Sequence, residues 1–325
     1  MVAYRRALGI VVAVLAACSS YGSDDAEPAP PRAVDDGGLD DAADVLDAAT
    51  NVDAGPCDPA APFTTFAVVP GLDTPMFESS ARLSLDELTV YLEEAPSADL
   101  STFDLFVATR SKMTDAFAPA VRIANVNNID GGLDVNPALT PDGLVLFFVS
   151  DRAFASGTAW DIFTAQRATP AGLFGAPSRV DALSSSGFDF NVFVTLDGSE
   201  IWFASDRDGS ERIYVASRAA AGLGNPTLVD LGAPPSGKDR GPVLSSDGTT
   251  LYFWSLGRDG STGYESYVAT RSTPTAAFSA PTLVPELTNR SANPSWLSPD
   301  ACRLYYSAPD ANGGSSDVYV ATRKP

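Results

Sequence analysis

One turn recurs five times along the chain, each time between a short apolar strand and a second strand rich in aromatic residues. Leu139-Thr140-Pro141-Asp142-Gly143 and Leu244-Ser245-Ser246-Asp247-Gly248 are its clearest copies, and Leu83 to Glu87, Val194 to Gly198 and Leu297 to Ala301 are variants. The aspartates of the five copies, Asp86, Asp142, Asp197, Asp247 and Asp300, are spaced 50 to 56 residues apart. Each is followed at a fixed offset by Val90-Tyr91, Leu146 to Phe148, Ile201 to Phe203, Leu251 to Phe253 or Leu304 to Tyr306. A third strand closes each unit, at Asp104 to Arg110, Asp161 to Arg167, Arg212 to Arg218, Glu265 to Arg271 and Asp317 to Arg323.

Short β-branched and aromatic runs broken by Gly, Pro, Asp and Ser turns, with no helical periodicity after Cys18, predict an all-β fold. A period near 50 with several strands per unit predicts the blades of a single β-propeller. Outer strands are expected at Pro119 to Ile123, Pro177 to Leu183, Pro226 to Leu231 and Pro281 to Leu287. The last repeat has no such segment before Pro325, whereas Phe63 to Val69 precedes the first. An N-terminal outer strand therefore completes the last of five four-stranded blades and closes the ring without a free edge.

The Ser-Pro-Asp-Gly type of turn, the Leu-Tyr-Phe strand, the Ser205-Asp206-Arg207 turn and the Asp-Ile-Tyr-Val type of strand resemble TolB-type (WD-repeat-like) β-propeller repeats over residues 62–325. That resemblance implies four-stranded blades and a binding or scaffolding role. The chain departs from the TolB layout, with five long repeats in place of six shorter ones and no N-terminal α/β domain, so a TolB role does not carry over.

Ahead of the repeats, Arg5 and Arg6 precede an apolar run from Ala7 to Ala17, too short for a transmembrane helix and arranged like a signal peptide. Leu15-Ala16-Ala17-Cys18 resembles the lipobox of bacterial lipoproteins, which implies cleavage after residue 17 and lipidation of Cys18. Ser19, in place of an aspartate, resembles lipoproteins sent to an outer membrane. The domain plan is thus a signal peptide over 1–17, a tether over 18–61 and the propeller over 62–325, in a cell-envelope protein that faces the periplasm or the cell exterior.

The tether holds eleven acids against Arg32 alone, so a large part of the net charge of −20 belongs to a self-repelling spacer. Strong acidity argues against nucleic acid as a partner, and the Asp spacing does not fit a calcium loop. Lipidation of Cys18 leaves Cys57 and Cys302 in an oxidising compartment. One lies just before the closing strand and the other in the first turn of the blade it completes, so a Cys57–Cys302 disulfide is expected.

The chain has no histidine, which excludes Ser-His-Asp and Cys-His catalysis and His-ligated zinc. Carboxylate chemistry remains open. Counting back from each turn marker to the start of the innermost strand gives Glu78, Asp134, Asp189 and Asp239, with Ser291 in the fifth place if one extra residue is allowed near Trp296. These positions would converge at the mouth of the central channel, either as a ligand site or as groups bonded into turns. Arg152, Arg207, Asp208 and Arg258, flanked by Lys238, Arg240 and Arg290, suggest a mixed-charge rim. Of the tryptophans, Trp202 and Trp254 suit the core, whereas Trp160 and Trp296 are candidates for sugar platforms.

Two functions fit this sequence. One is a noncatalytic propeller, displayed at a membrane through an N-terminal lipid, that binds a protein or a glycan and needs no metal or other cofactor. The other is a glycoside hydrolase or lyase that uses inner-ring acids. Two such acids about 5 to 9.5 Å apart in an open cleft would favour the enzyme, and acids bonded into turns would favour the binder.

Overall fold

The strand β1 (Phe63–Val68) does not join the repeat that follows it. It pairs antiparallel with β21 (Ser316–Arg323), in a register running from Phe63↔Arg323 to Val68↔Tyr319. In the computed structural model, which describes residues 57–324 apart from 97–99, 101, 129–131, 153–159, 233–236, 261–262 and 311–314, this pairing completes the last of five antiparallel blades. The expected signal peptide over 1–17, Cys18 and nearly all of the expected tether lie outside the described residues.

Blade 1 consists of β2 (Met76–Leu83), β3 (Thr89–Pro96), β4 (Asp104–Thr109) and β5 (Val121–Arg122). Blade 2 consists of β6 (Asp134–Leu139), β7 (Val145–Ser150), β8 (Asp161–Gln166) and β9 (Ser178–Arg179). In blade 3, β10 (Asp189–Val194) and β11 (Glu200–Ser205) lead to β12 (Arg212–Ala219), which pairs with both β13 (Gly222–Leu223) and β14 (Thr227–Leu228). Blade 4 is β15 (Lys238–Leu244), β16 (Thr250–Leu256), β17 (Tyr264–Thr270) and β18 (Thr282–Leu283), and blade 5 is β19 (Asn293–Leu297), β20 (Arg303–Pro309), β21 and β1. The chain is a five-bladed β-propeller.

The recurrent turn owes its form to its aspartate. In all five copies the carboxylate accepts from the hydroxyl two residues before it and from the backbone N–H two residues after it, as Asp142 does from Thr140 Oγ1 (2.5 Å) and Leu144 N (3.0 Å). This Asx arrangement fixes the chain reversal without help from the rest of the fold. The next residue takes a positive φ, which glycine meets freely in three copies and which Glu87 (φ 60) and Ala301 (φ 56) adopt in the other two.

Burial follows strand position. The second strands sit between neighbouring layers and are apolar in their middle residues, as in Leu146 to Val149, all buried. The outer strands are shorter than expected, two residues each except for β1, because the chain turns inward directly after them. The N–H of Leu183 bonds to Val180 O and that of Leu287 to Val284 O, which drives each leucine into the core. Cys57 and Cys302 are joined by a disulfide with Cα atoms 5.9 Å apart, on the face that carries the five recurrent turns.

The centre of the ring is filled. A one-residue bulge in β2, β6, β10 and β15 puts Ser80, Asn136, Asn191 and Gly241 in the left-handed region and turns their backbone toward the axis. Glu93 of β3 accepts there from Ser79 Oγ, from Ser80 Oγ (3.1 Å) and from Asn136 N (2.5 Å), while Asn136 Oδ1 accepts from Asn191 N (2.9 Å). Arg82 crosses from blade 1 to blade 3, donating to Val192 O (3.1 Å) over the Phe193 ring. Burial lowers its pKa to about 9 and raises that of Glu93.

Candidate functional site

The face opposite the recurrent turns gathers the starts of the inner strands and the ends of the second strands. Three of the acids expected there are occupied by arginines of their own blades. Arg152 Nη2 donates to Asp134 Oδ1 (2.6 Å) and to Val126 O (2.8 Å), and its guanidinium lies 5.1 Å above both Phe148 and Phe163. Arg207 repeats the pattern with Asp189 (2.8 Å), Leu183 O (2.6 Å), Phe203 and Tyr214. Arg258 does so most completely, with two bonds to Asp239 (2.8 and 3.0 Å), one to Leu231 O (3.2 Å), and Phe253 and Tyr267 beneath it.

Each clasp also uses the serine opposite the acid in strand register. Ser150, Ser205 and Ser255 face Asp134, Asp189 and Asp239, and the serine hydroxyl bonds the arginine Nε in blades 2 and 3 and the aspartate in blade 4. A buried carboxylate that meets a guanidinium, an aromatic face and a loop carbonyl is satisfied, and the loop between blades is pinned by the same contact. Asp134, Asp189 and Asp239 are therefore bonded into turns and do not converge on an open channel.

In blade 5 the residue in this register, opposite Ser307, is Asn293. Ser291, expected there, is exposed and lies two residues earlier, because the segment between this register position and the turn is one residue shorter than in the other blades, not longer. Blade 5 thus lacks the acid, and Pro309 occupies the place of the arginine, two residues after the serine.

Blade 1 breaks the correlation. Glu78 takes the acid position and faces Glu94, which replaces the serine, while Pro96 stands where the arginine would be. Glu78 is fully buried. Its Oε1 accepts from Thr74 Oγ1, and its Oε2 has no hydrogen-bond partner. No ion pair among the described residues reaches either glutamate. Burial, with the charges of Glu94 and Asp317 nearby, pushes the Glu78 carboxyl up to about 8; burial pushes Glu94 to about 7 and, with Asp310 and Asp73 nearby, Asp317 to about 6. These three carboxyls, at the seam between the first and last blades, form the candidate site.

The expected cationic rim is mostly committed elsewhere. Besides the three clasp arginines, Lys238 and Arg240 both bond Glu211, and Arg290 stacks 4.3 Å from the Phe66 ring. Asp208 accepts from Tyr214 OH (2.5 Å). Trp296 is 2 % exposed and packs edge-on against Tyr305, so it belongs to the core like Trp202. Trp254 is only partly buried and stacks on Tyr264 with ring centroids 3.9 Å apart, while Trp160 meets Phe188 edge-on.

Sequence reasoning located Glu78 but not Glu94, Asp317, Arg82 or Glu93. The available signal was the serine that ends the second strand in four repeats and is a glutamate in the first.

No protein-family model matches the chain, and no curated protein matches it. Solved structures share its fold. An α-L-arabinofuranosidase of Lactobacillus brevis is 13% identical with a TM-score of 0.52, over 78% of this chain and 94% of that one. An α-L-arabinofuranosidase of Podospora anserina in complex with cellotriose is 14% identical (TM-score 0.48, 80% and 96%). TolB of Acinetobacter baumannii is 15% identical (TM-score 0.47, 81% of this chain), and this chain spans 66% of it. At these identities the likeness is one of fold.

Proposed function

We propose that the protein is an exported lipoprotein of the cell envelope, held at the outer membrane through Cys18, whose propeller is a noncatalytic binding module for a protein ligand at the mouth face. The observation that carries this reading is the fate of the inner-ring acids. Asp134, Asp189 and Asp239 are neutralised by Arg152, Arg207 and Arg258, which removes them as a catalytic pair and leaves a rigid platform. Cys57, the first described residue, lies on the opposite face, bonded to Cys302.

The alternative reading is a glycoside hydrolase or lyase. One feature favours it: Glu78, with its pKa near 8, holds a proton at neutral pH as a general acid must. Against it, Glu94, the carboxyl that faces Glu78 in strand register, is itself pushed up to about 7 by burial, whereas the second carboxylate of a glycosidase pair has to be ionised.

The test is a binding screen of the full chain against envelope proteins and glycans, with sugar release followed in the same samples. Saturable protein binding without turnover is the expected result. Turnover lost in Glu78→Gln would overturn it. The anchor is tested separately: Cys18→Ala should move the protein from the membrane to the soluble fraction, and retention in the membrane would refute lipidation.

A further inference from the structure

The five blades amount to an internal mutation series at one position. Blades 2, 3 and 4 carry an acid and an arginine, and blade 5 carries neither. Blade 1 carries two acids and no arginine. Blade 1 keeps one of the two rings of the clasp and its turn leucine, with Leu92 and Glu94 in place of the other ring and the serine. Phe106 stands in the register of Phe163, Leu92 in that of Phe148, and buried Leu72 ends the turn from Val69 as Leu183 ends the turn from Val180. The guanidinium is missing, and buried Glu78 Oε2 has no partner in its place.

We propose that the mouth of blade 1 is a receptor slot for a guanidinium supplied from outside the chain, by an exposed arginine of a protein partner. The proposal rests on the binding-module reading and names the chemistry at that site. Opposite Glu78 and Glu94 an incoming guanidinium makes the planar two-oxygen contact that Arg258 makes with Asp239, over the ring of Phe106. A lysine ammonium lacks that fork. The groups facing the slot are Thr74 from the preceding loop, Glu94 from β3 and Asp317 from β21, with Asp73 and Asp310 behind Asp317. Because Glu78 is protonated when the slot is empty, uptake of a cation releases a proton, and affinity rises as the pH is raised toward 8.

The slot is tested on the full chain with N-acetyl-L-arginine amide as probe and N-acetyl-citrulline amide as its uncharged isostere, by titration calorimetry in two buffers of different ionisation enthalpy. The arginine probe should bind at least tenfold more tightly than citrulline, with proton release, and binding should be lost in Glu78→Gln. In the double variant Glu94→Ser, Pro96→Arg the chain supplies its own guanidinium. That variant should lose probe binding while its Tm rises.

Equal binding of the two probes, or unchanged arginine binding in both variants, would overturn the slot. So would an inert arginine probe alongside a calcium chloride titration that raises Tm, which would make it a metal site. A protein partner that binds wild type and Glu78→Gln alike defeats the slot and leaves the module intact. Probe binding in a chain that also cleaves glycans defeats the noncatalytic reading and leaves the slot.

Discussion

Arg303, in the second strand of the last blade, clasps Glu87, in the first turn of the first blade, through Nη2 to Oε1 at 2.7 Å and through Nε to both carboxylate oxygens at 3.0 Å. Tyr305 OH donates to the same carboxylate at 2.6 Å, and the pair is buried. It ties the first and last blades together, at the junction that the loop from β1 to β2 also spans. Arg303→Met leaves Glu87 charged and unpaired, and should destabilise the protein by about 3 to 5 kcal/mol in urea unfolding. The double variant Glu87→Leu, Arg303→Met should recover much of that loss, since no buried charge remains.

The Cys57–Cys302 disulfide closes the same blade covalently, across 245 residues. Replacing both cysteines by serine should lower stability by about 2 to 4 kcal/mol. Amide exchange should accelerate first in β1, whose pairing with β21 the bond secures.

The three arginine clasps should not cost the same when broken. Arg258 is 6 % exposed and makes two bonds to Asp239, whereas the side chains of Arg152 and Arg207 are 18 % and 19 % exposed with one bond each. Arg258→Met should lower Tm most, by an amount matching a loss of about 3 to 5 kcal/mol. Equal losses in all three variants would contradict this ranking.

Stability should fall as pH rises from about 4.5 to 8. Glu78 and Glu94 titrate near 8 and 7 in the folded protein and near 4.5 when unfolded. Between those values the folded state holds more protons than the unfolded state, so raising the pH favours unfolding. The chain has no histidine, and Asp317, pushed up to about 6 in the folded protein, adds to the same slope. Glu78→Gln, Glu94→Gln should flatten the profile in thermal melts between pH 5 and pH 8, and a wild-type profile already flat there would be inconsistent with these pKa values.

Much of the fold was legible because the signal is local. Asp142 makes its turn through bonds to Thr140 and Leu144, and the same three-residue logic operates at Asp86, Asp197, Asp247 and Asp300. The closing strand was legible from counting, since one outer segment lay at the wrong end of the repeats. The place of Ser291 was misjudged by two residues, because strand register depends on bulges that leave no mark in composition. The acids were found at their positions, but not their partners. Arg152 reaches Asp134 across 18 residues and Arg207 reaches Asp189 across the same span, a regularity visible only once the strands are aligned.

The amino-acid sequence by itself determined five Asx-turn units of β-strand and the ring that such units must close, since turn chemistry and strand periodicity act between near neighbours. Only the tertiary structure decided which carboxylates are spent and which are left over. Asp239 and Glu78 occupy equivalent positions, and what separates them is an arginine held in place by packing in blade 4 and absent from blade 1. The charge state of a buried acid depends on what the fold brings within a few ångströms of it, and that distance is not written in the order of residues.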